Sequence, residues 1–219
     1  MRRIFDIHNP IMRFAVKLFD CMCLSVLWLV ACLPVITIGA STTAMFAVIH
    51  RYIRLDEGRF LITFWKTFRE EFKRTTACWL VGLVLFGVLV VDALVFRTMA
   101  VNGQLLGMLY WVILAFVAVE ATWLAYAFAY AERFTGGVVD TLRVSLFMIL
   151  MHPIKSATVM VIVLAAVALT ILAPGFLTIV PAICCWLCDI VLASVFVQHL
   201  REEDRERLEN SRGESAEEF

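Results

Sequence analysis

The sequence predicts an all-α, polytopic helical membrane protein. It has five long apolar helices plus a short small-residue helix or re-entrant arm, about six membrane segments in all, with one or two cytoplasmic amphipathic helices. Three observations predict it. Hydrophobic residues make up 62% of the chain and charged residues 17%, with a mean hydropathy of +0.88, whereas soluble domains run at roughly 45–50% apolar. The apolar residues gather into five runs, Leu18–Ile38, Cys78–Phe96, Leu105–Ala131, Ala157–Ala173 and Phe176–Val197, each near the ~20 residues that cross a bilayer. The 19 Lys and Arg residues fall mostly between those runs and do so unevenly. The net charge is zero, so the signal lies in how the charges are distributed; a lipid bilayer is the expected surrounding and no nucleic acid is expected as a partner. Residues 1–200 read as a single membrane domain and 201–219 as a polar, disordered cytoplasmic tail.

A 17-residue basic lead precedes the first run. That is longer than the charged region of a signal peptide, and no small-x-small site follows, so a retained first helix is expected. The seven cysteines (Cys21, Cys23, Cys32, Cys78, Cys184, Cys185 and Cys188) all lie in or beside apolar runs and read as small buried hydrophobes. Cys185 and Cys188 have the spacing of redox and metal motifs, but they sit inside a span with no histidine near them.

The basic residues set the topology. Four precede the first run, seven lie between it and Cys78, one (Arg97) follows the second run, three lie between the third and fourth, none lies in the Ala173–Phe176 turn, and four lie in the tail. Basic-rich connections face the cytoplasm, which places both termini there. The first two clusters satisfy this rule together only if the chain crosses twice before Arg51. The segment "LPVITIGASTTAMFAVIHRY" (Leu33–Tyr52) offers the means. Pro34 disfavours continued helix, so the first helix is expected to end near Leu33 and the chain to turn around Val35–Ile38. Gly39, Thr43 and Ala47 then recur every four residues, with Ala40 and Ala44 beside them, giving a face that lets helix backbones approach closely in lipid. A helix over Ile38–Tyr52 is about 22 Å long, short of the ~30 Å hydrocarbon core; a short span and a re-entrant arm both fit.

Two stretches read as cytoplasmic surface helices, 57–76 and 138–152. In the first, Phe60, Phe64, Phe68 and Phe72 are spaced by four with Leu61 and Trp65 beside them, while Lys66, Arg69, Glu70 and Lys73 fall between. Bulky aromatics opposite cations suit a helix at the headgroup boundary and equally a docking face for a partner. Both elements begin after glycine (Gly58; Gly136-Gly137) and lead into a span through a basic residue, hydroxyl residues and alanine (Arg74-Thr75-Thr76-Ala77, Lys155-Ser156-Ala157), a hint of internal duplication of the kind found in transporters.

Asp20, Asp92, Glu120 and Asp189 are carboxylates in apolar runs. A charge at bilayer depth costs ~2.5–3.5 kcal/mol on insertion scales, and with no Lys or Arg read inside the spans, these acids are expected to be neutral or to face a wet cavity. Asp92, Glu120 and Asp189 are the candidate intramembrane polar site; a hydrogen bond across a helix pair is the plainer alternative. Enzyme templates fail: there is no HExxH, phosphate-cradling glycine loop or GxSxG. No enzymatic activity, catalytic residue, metal or cofactor is expected.

"PVITIGASTTAM" (Pro34–Met45) resembles the P-x-x-T-I-G-P-x-x-x-A signature of the YesL-like family of bacterial integral membrane proteins, with Pro34, Thr37, Gly39 and Ala44 on its fixed positions and Thr43 within the same motif segment. "FWKTFREEFKRTT" (Phe64–Thr76) is similar to that family's FW-x-x-F-K-x-N-F-K-x-x-T stretch, and His152-Pro153 matches a later feature. Ala40 and Glu71 depart from the pattern, which has proline and asparagine there. The resemblance implies a protein without established activity, encoded beside carbohydrate uptake transporters, and hence a non-enzymatic accessory component of oligosaccharide uptake. Its expected partner is a carbohydrate ABC transporter permease or ATPase; self-association into a homo-oligomer is compatible with it. The alternative is a small-solute transporter that uses the mid-membrane carboxylates.

Overall fold

The computed structural model describes residues 10–54, 60–101, 108–134 and 136–196; the tail read over 201–219 lies outside them. Among the described residues all regular structure is helical. Helix α1 (Pro10–Ala31) stops ahead of Pro34. The Thr37 hydroxyl lies 2.6 Å from the carbonyl oxygens of both Ala31 and Pro34, so the Ala31 carbonyl at the end of α1, which has no intrahelical donor, is capped. After a short 3-10 turn over Val35–Thr37, α2 (Ile38–Val48) runs on into a wider π-helical stretch, Ile49–Arg54. Trp28 donates its indole N–H to Thr42 Oγ1 at 3.2 Å, which pins α2 back against α1. The segment that opens at Leu33 is therefore a second helix turning back.

Nine of the eleven residues of α2 are buried. The hydroxyls of Ser41, Thr42 and Thr43 donate to carbonyls four residues earlier, at 2.8, 2.7 and 3.0 Å. Each polar group is thus satisfied within its own helix, which allows α2 to be enclosed by apolar neighbours. Its closest neighbour is α3. A Cβ added at Gly39 would lie 2.5 Å from the Thr75 carbonyl oxygen and 2.8 Å from Trp79 Cβ; only glycine admits this approach. Trp79 also donates to the Val35 carbonyl at 2.8 Å, fixing the hairpin turn against the same helix.

Helix α3 (Phe60–Val101) has 42 residues, about 63 Å at 1.5 Å per residue, twice the ~30 Å hydrocarbon thickness. Its most apolar window has a mean hydropathy of 2.6 and only 6% of that window is buried inside the protein, the signature of a lipid-facing segment. The sequence reads a surface helix ending at residue 76 and a separate span from Cys78; the structure joins them, because nothing between Arg74 and Trp79 breaks helix. It also turns the aromatic stripe inward. Phe64 is fully buried, Phe60 and Phe68 pack against the same core, and Phe64 stacks on Phe68 at 6.2 Å, while Trp65 is exposed. The α1–α2 hairpin supplies the apolar wall on that side, so the rings pack against protein.

Helix α4 (Leu109–Arg133) pairs with α3 through Gly82, where an added Cβ would meet Leu124 Cδ2 at 2.8 Å. Helix α5 (Val138–Met151) begins with Asp140 accepting from the Gly137 amide at 3.3 Å, and buries Thr141, Ser145 and Met148. Pro153 cannot continue that helix and instead opens α6 (Pro153–Leu172), as proline does well at a helix start. A 3-10 turn over Pro174–Thr178 leads to α7 (Val180–Phe196). There the first-turn amide of Ala182 donates to Ser25 Oγ on α1 at 3.2 Å. Of the five runs read as long helices, three reach spanning length and hydropathy, in α3, α4 and α6; the segments Phe19–Ala31, Val35–Arg51 and Val180–Phe196 are shorter apolar helices. Three helices of this kind make the chain a membrane-embedded protein.

Gly39→Ala is expected to push α2 off α3 and destabilise the fold by about 1–3 kcal/mol, the usual effect of overpacking. Gly87→Ala, whose Cβ would meet nothing within 4 Å, is expected to leave stability unchanged or raise it by up to ~1 kcal/mol through helix propensity. Thermal unfolding of the detergent-solubilised variants, followed by tryptophan fluorescence, measures both.

Candidate functional site

The C-terminal end of α4 collects more charge than any other buried part of the described structure. A helix ends there with carbonyls lacking intrahelical donors and a partial negative charge. Arg74 of α3 meets them. Its guanidinium donates to the carbonyls of Phe134 at 2.8 Å, Gly136 at 3.3 Å and Ala131, and it pairs with Glu71 one turn away at 2.7 Å.

Beside this clamp, four side chains interlock with a fifth. His50 and Arg51 lie in the π-helical stretch, Glu132 and Arg133 in the last turn of α4, and Asp189 in α7. Arg51 Nε donates to Glu132 Oε1 at 3.1 Å. Arg133 Nη2 donates to Asp189 Oδ1 and lies 3.2 Å from His50 Nδ1, which is itself 3.4 Å from Asp189 Oδ2. Arg133 Nε is 3.4 Å from Glu132 Oε2, and its guanidinium sits over the Phe196 ring, 4.8 Å from the centroid. The Asp189 and Glu132 side chains are 1% and 2% exposed, yet His50 remains 24% exposed. Two arginines and two carboxylates cancel, so the cluster is neutral when His50 is neutral, which is the condition for burying charge without an uncompensated ion.

Asp189, expected to lack a cation, is thus paired with Arg133. The apolar run ends at Ala131, but α4 continues two residues further and carries Arg133 into the packed helix ends. The other two candidate carboxylates lie elsewhere. Asp92 is exposed on the apolar half of α3. Glu120 is 5% exposed, and both its carboxylate oxygens are buried without a hydrogen-bond partner among the described residues. It precedes Arg133 by 13 residues of α4, about 20 Å along the axis. Asp92, Glu120 and Asp189 therefore occupy three separate environments. The motif residues Pro34, Thr37, Gly39, Thr43 and Ala44 gather at the hairpin and its packing against α3. Sequence reasoning missed His50, Arg51, Glu132, Arg133 and Arg74. The one signal available was the adjacent Glu132-Arg133 pair at the end of an apolar run, which becomes informative only when a complementary pair is known to lie opposite.

Fold and cluster together define a helical membrane protein whose helix ends are tied by buried ion pairs. Residues 21–93 are similar to a family described as "Protein of unknown function, DUF624". That segment covers the second half of α1, the hairpin, α2 and most of α3, and so includes both stretches that carry the YesL-like resemblance. No curated protein and no solved structure matches the chain.

Breaking one buried partner leaves the other uncompensated, at a penalty of about 3–5 kcal/mol. Arg133→Leu and Asp189→Leu are each expected to abolish the monodisperse peak in detergent size-exclusion chromatography. The double variant Arg133→Leu/Asp189→Leu is expected to recover most of that peak, because neither ion is then buried alone.

Proposed function

We propose that this chain is a non-enzymatic, membrane-embedded accessory component of carbohydrate uptake that associates with a transporter permease or its ATPase. In this reading it crosses a bacterial plasma membrane about six times, with both termini in the cytoplasm. The observation that carries it is the outward face of the N-terminal half of α3. Leu61, Ile62 and Trp65 are exposed at 57%, 56% and 57%, and Lys66, Arg69 and Lys73 are exposed around them. Since Phe60, Phe64 and Phe68 are spent on the core, the docking face becomes Leu61, Ile62 and Trp65, a compact apolar patch with a cationic rim, the anatomy of a protein interface. The genomic company implied by the YesL-like resemblance supplies the class of partner. The self-neutralised cluster at α4 adds support, since side chains already paired with one another serve packing better than the passage of a solute.

A second reading, transport of a small solute, is favoured by Glu120 alone, whose carboxylate has no hydrogen-bond partner among the described residues and lies inside a spanning helix, where an ionisable side chain points to function. Purification of the tagged protein from native membranes in mild detergent is expected to bring down a sugar transporter subunit, and Leu61→Asp/Trp65→Ala is expected to lower that recovery at least tenfold with expression unchanged. Glu120→Gln is expected to leave recovery unchanged. Recovery of the protein alone, with liposome flux that Glu120→Gln abolishes, establishes the transporter reading instead.

A further inference from the structure

The His50 ring nitrogen Nδ1 has two neighbours that it cannot serve at once. Arg133 Nη2, a permanent donor, lies 3.2 Å away; Asp189 Oδ2, an acceptor, lies 3.4 Å away. A bare Nδ1 accepts from Arg133 and can offer nothing to Asp189. With both ring nitrogens protonated, Nδ1 donates to Asp189 and the ring faces Arg133 as one positive charge facing another. Which helix His50 binds is therefore decided by one proton.

We propose that His50 is a proton-operated latch: with Nδ1 bare it ties the end of α2 to α4 through Arg133, and with Nδ1 protonated it ties the same end to α7 through Asp189. Three features of the site make the exchange workable. His50 is partly exposed, whereas Asp189 is not, so the proton reaches the ring from the aqueous phase at that end of the bundle. Released by His50, Arg133 keeps Asp189 Oδ1, Glu132 and the Phe196 ring, so no ion is stranded. The latch also sits in the π-helical stretch, two residues past Val48 at the end of the regular helix, a local widening that recurs at functional positions.

The charged and titratable groups around the ring come from every element that meets it. Arg51 follows on its own stretch and pairs with Glu132. Glu132 and Arg133 come from α4. Asp189 comes from α7, with the thiols of Cys185 and Cys188 near its carboxylate. Protonation takes the cluster of two arginines and two carboxylates from neutral to a single positive charge. Histidine is the side chain that changes charge in the physiological range.

The test uses the whole chain in phospholipid nanodiscs with 15N-labelled histidine. Four histidines are present, and His50→Asn identifies the His50 signals by their loss. At pH 8 the shifts are expected to show bare Nδ1 and protonated Nε2. On acidification to pH 5 both nitrogens become protonated, in step with a change in fluorescence from Trp186, one turn before Asp189 on α7; that change is absent in His50→Asn. In Asp189→Asn the anion that holds the charged ring is gone, and the midpoint is expected to fall by about one pH unit or more. A proton on Nδ1 throughout the range, or a bare Nδ1 that never gains one, overturns the proposal on the unaltered chain alone, whatever the folding of the variants. An Asp189→Asn midpoint equal to that of the unaltered chain overturns it as well.

Discussion

The rest of this structure depends on how the C-terminal turn of α4 is satisfied. In an aqueous loop, water would hydrogen-bond the final carbonyls and hydrate Glu132 and Arg133. Here the turn is packed among other helices, and each group must find a protein partner. Arg74 reaches across from α3 to cap the carbonyls, α2 contributes Arg51 and His50, and α7 contributes Asp189. Helix α5 starts only a few residues later, at Val138. One helix end thereby fixes the positions of four others, and a shift in any of them would leave a buried charge or carbonyl without its partner.

Close packing does the complementary work. Between helices in lipid, apolar contact carries no hydrophobic driving force, and association rests on close packing and on polar pairs. Gly39 brings α2 onto α3 at a distance a Cβ would forbid, and Leu124 of α4 closes over Gly82 of α3. With α2 seated in this way, the aromatic side of α3 has a wall to pack against and Phe64 disappears from the surface. The outward side keeps Trp65 and the cations. Because α3 is continuous from Phe60 to Val101, whatever binds near Trp65 acts on the same rod whose far half lies in lipid.

Much of this was legible in the sequence, and the boundary between what was and what was not is physical. The turn at Pro34 followed from local chemistry, a missing amide hydrogen beside a line of small residues. The embedded, all-helical character followed from run length and composition. The aromatic stripe was seen, but its direction was not, because period-four spacing specifies that a face is apolar and leaves open whether protein or membrane covers it. The fusion of the amphipathic helix with the span was hidden by the change in composition near Thr75, which marks a change of surroundings and contains no helix breaker. The ion cluster was the least legible part. Its members stand 56 to 139 residues apart in the pairs they make across helices, and such partners are set by packing, about which spacing along one chain is silent.

Why Glu132, Arg133 and Asp189 should be enclosed there at all is the remaining question. Replacing a buried ion pair by well-packed apolar groups is often neutral or stabilising, so stability alone does not account for them. Apolar helices, however, tolerate sliding: a Leu-rich face packs nearly as well after a shift of one turn, about 5.4 Å. A carboxylate that must meet a guanidinium has no such freedom, since a displacement of that size removes the partner entirely. Single polar residues are known to fix register in apolar helical interfaces in this way. In α7, where Asp189 is surrounded by Cys185, Cys188 and Leu192 of the core, one carboxylate selects the register against α4 that the apolar residues leave open. The same requirement makes the junction responsive. A contact that admits one register, and whose shared histidine nitrogen has two competing partners, is the point at which a small change in charge is converted into a choice between helices.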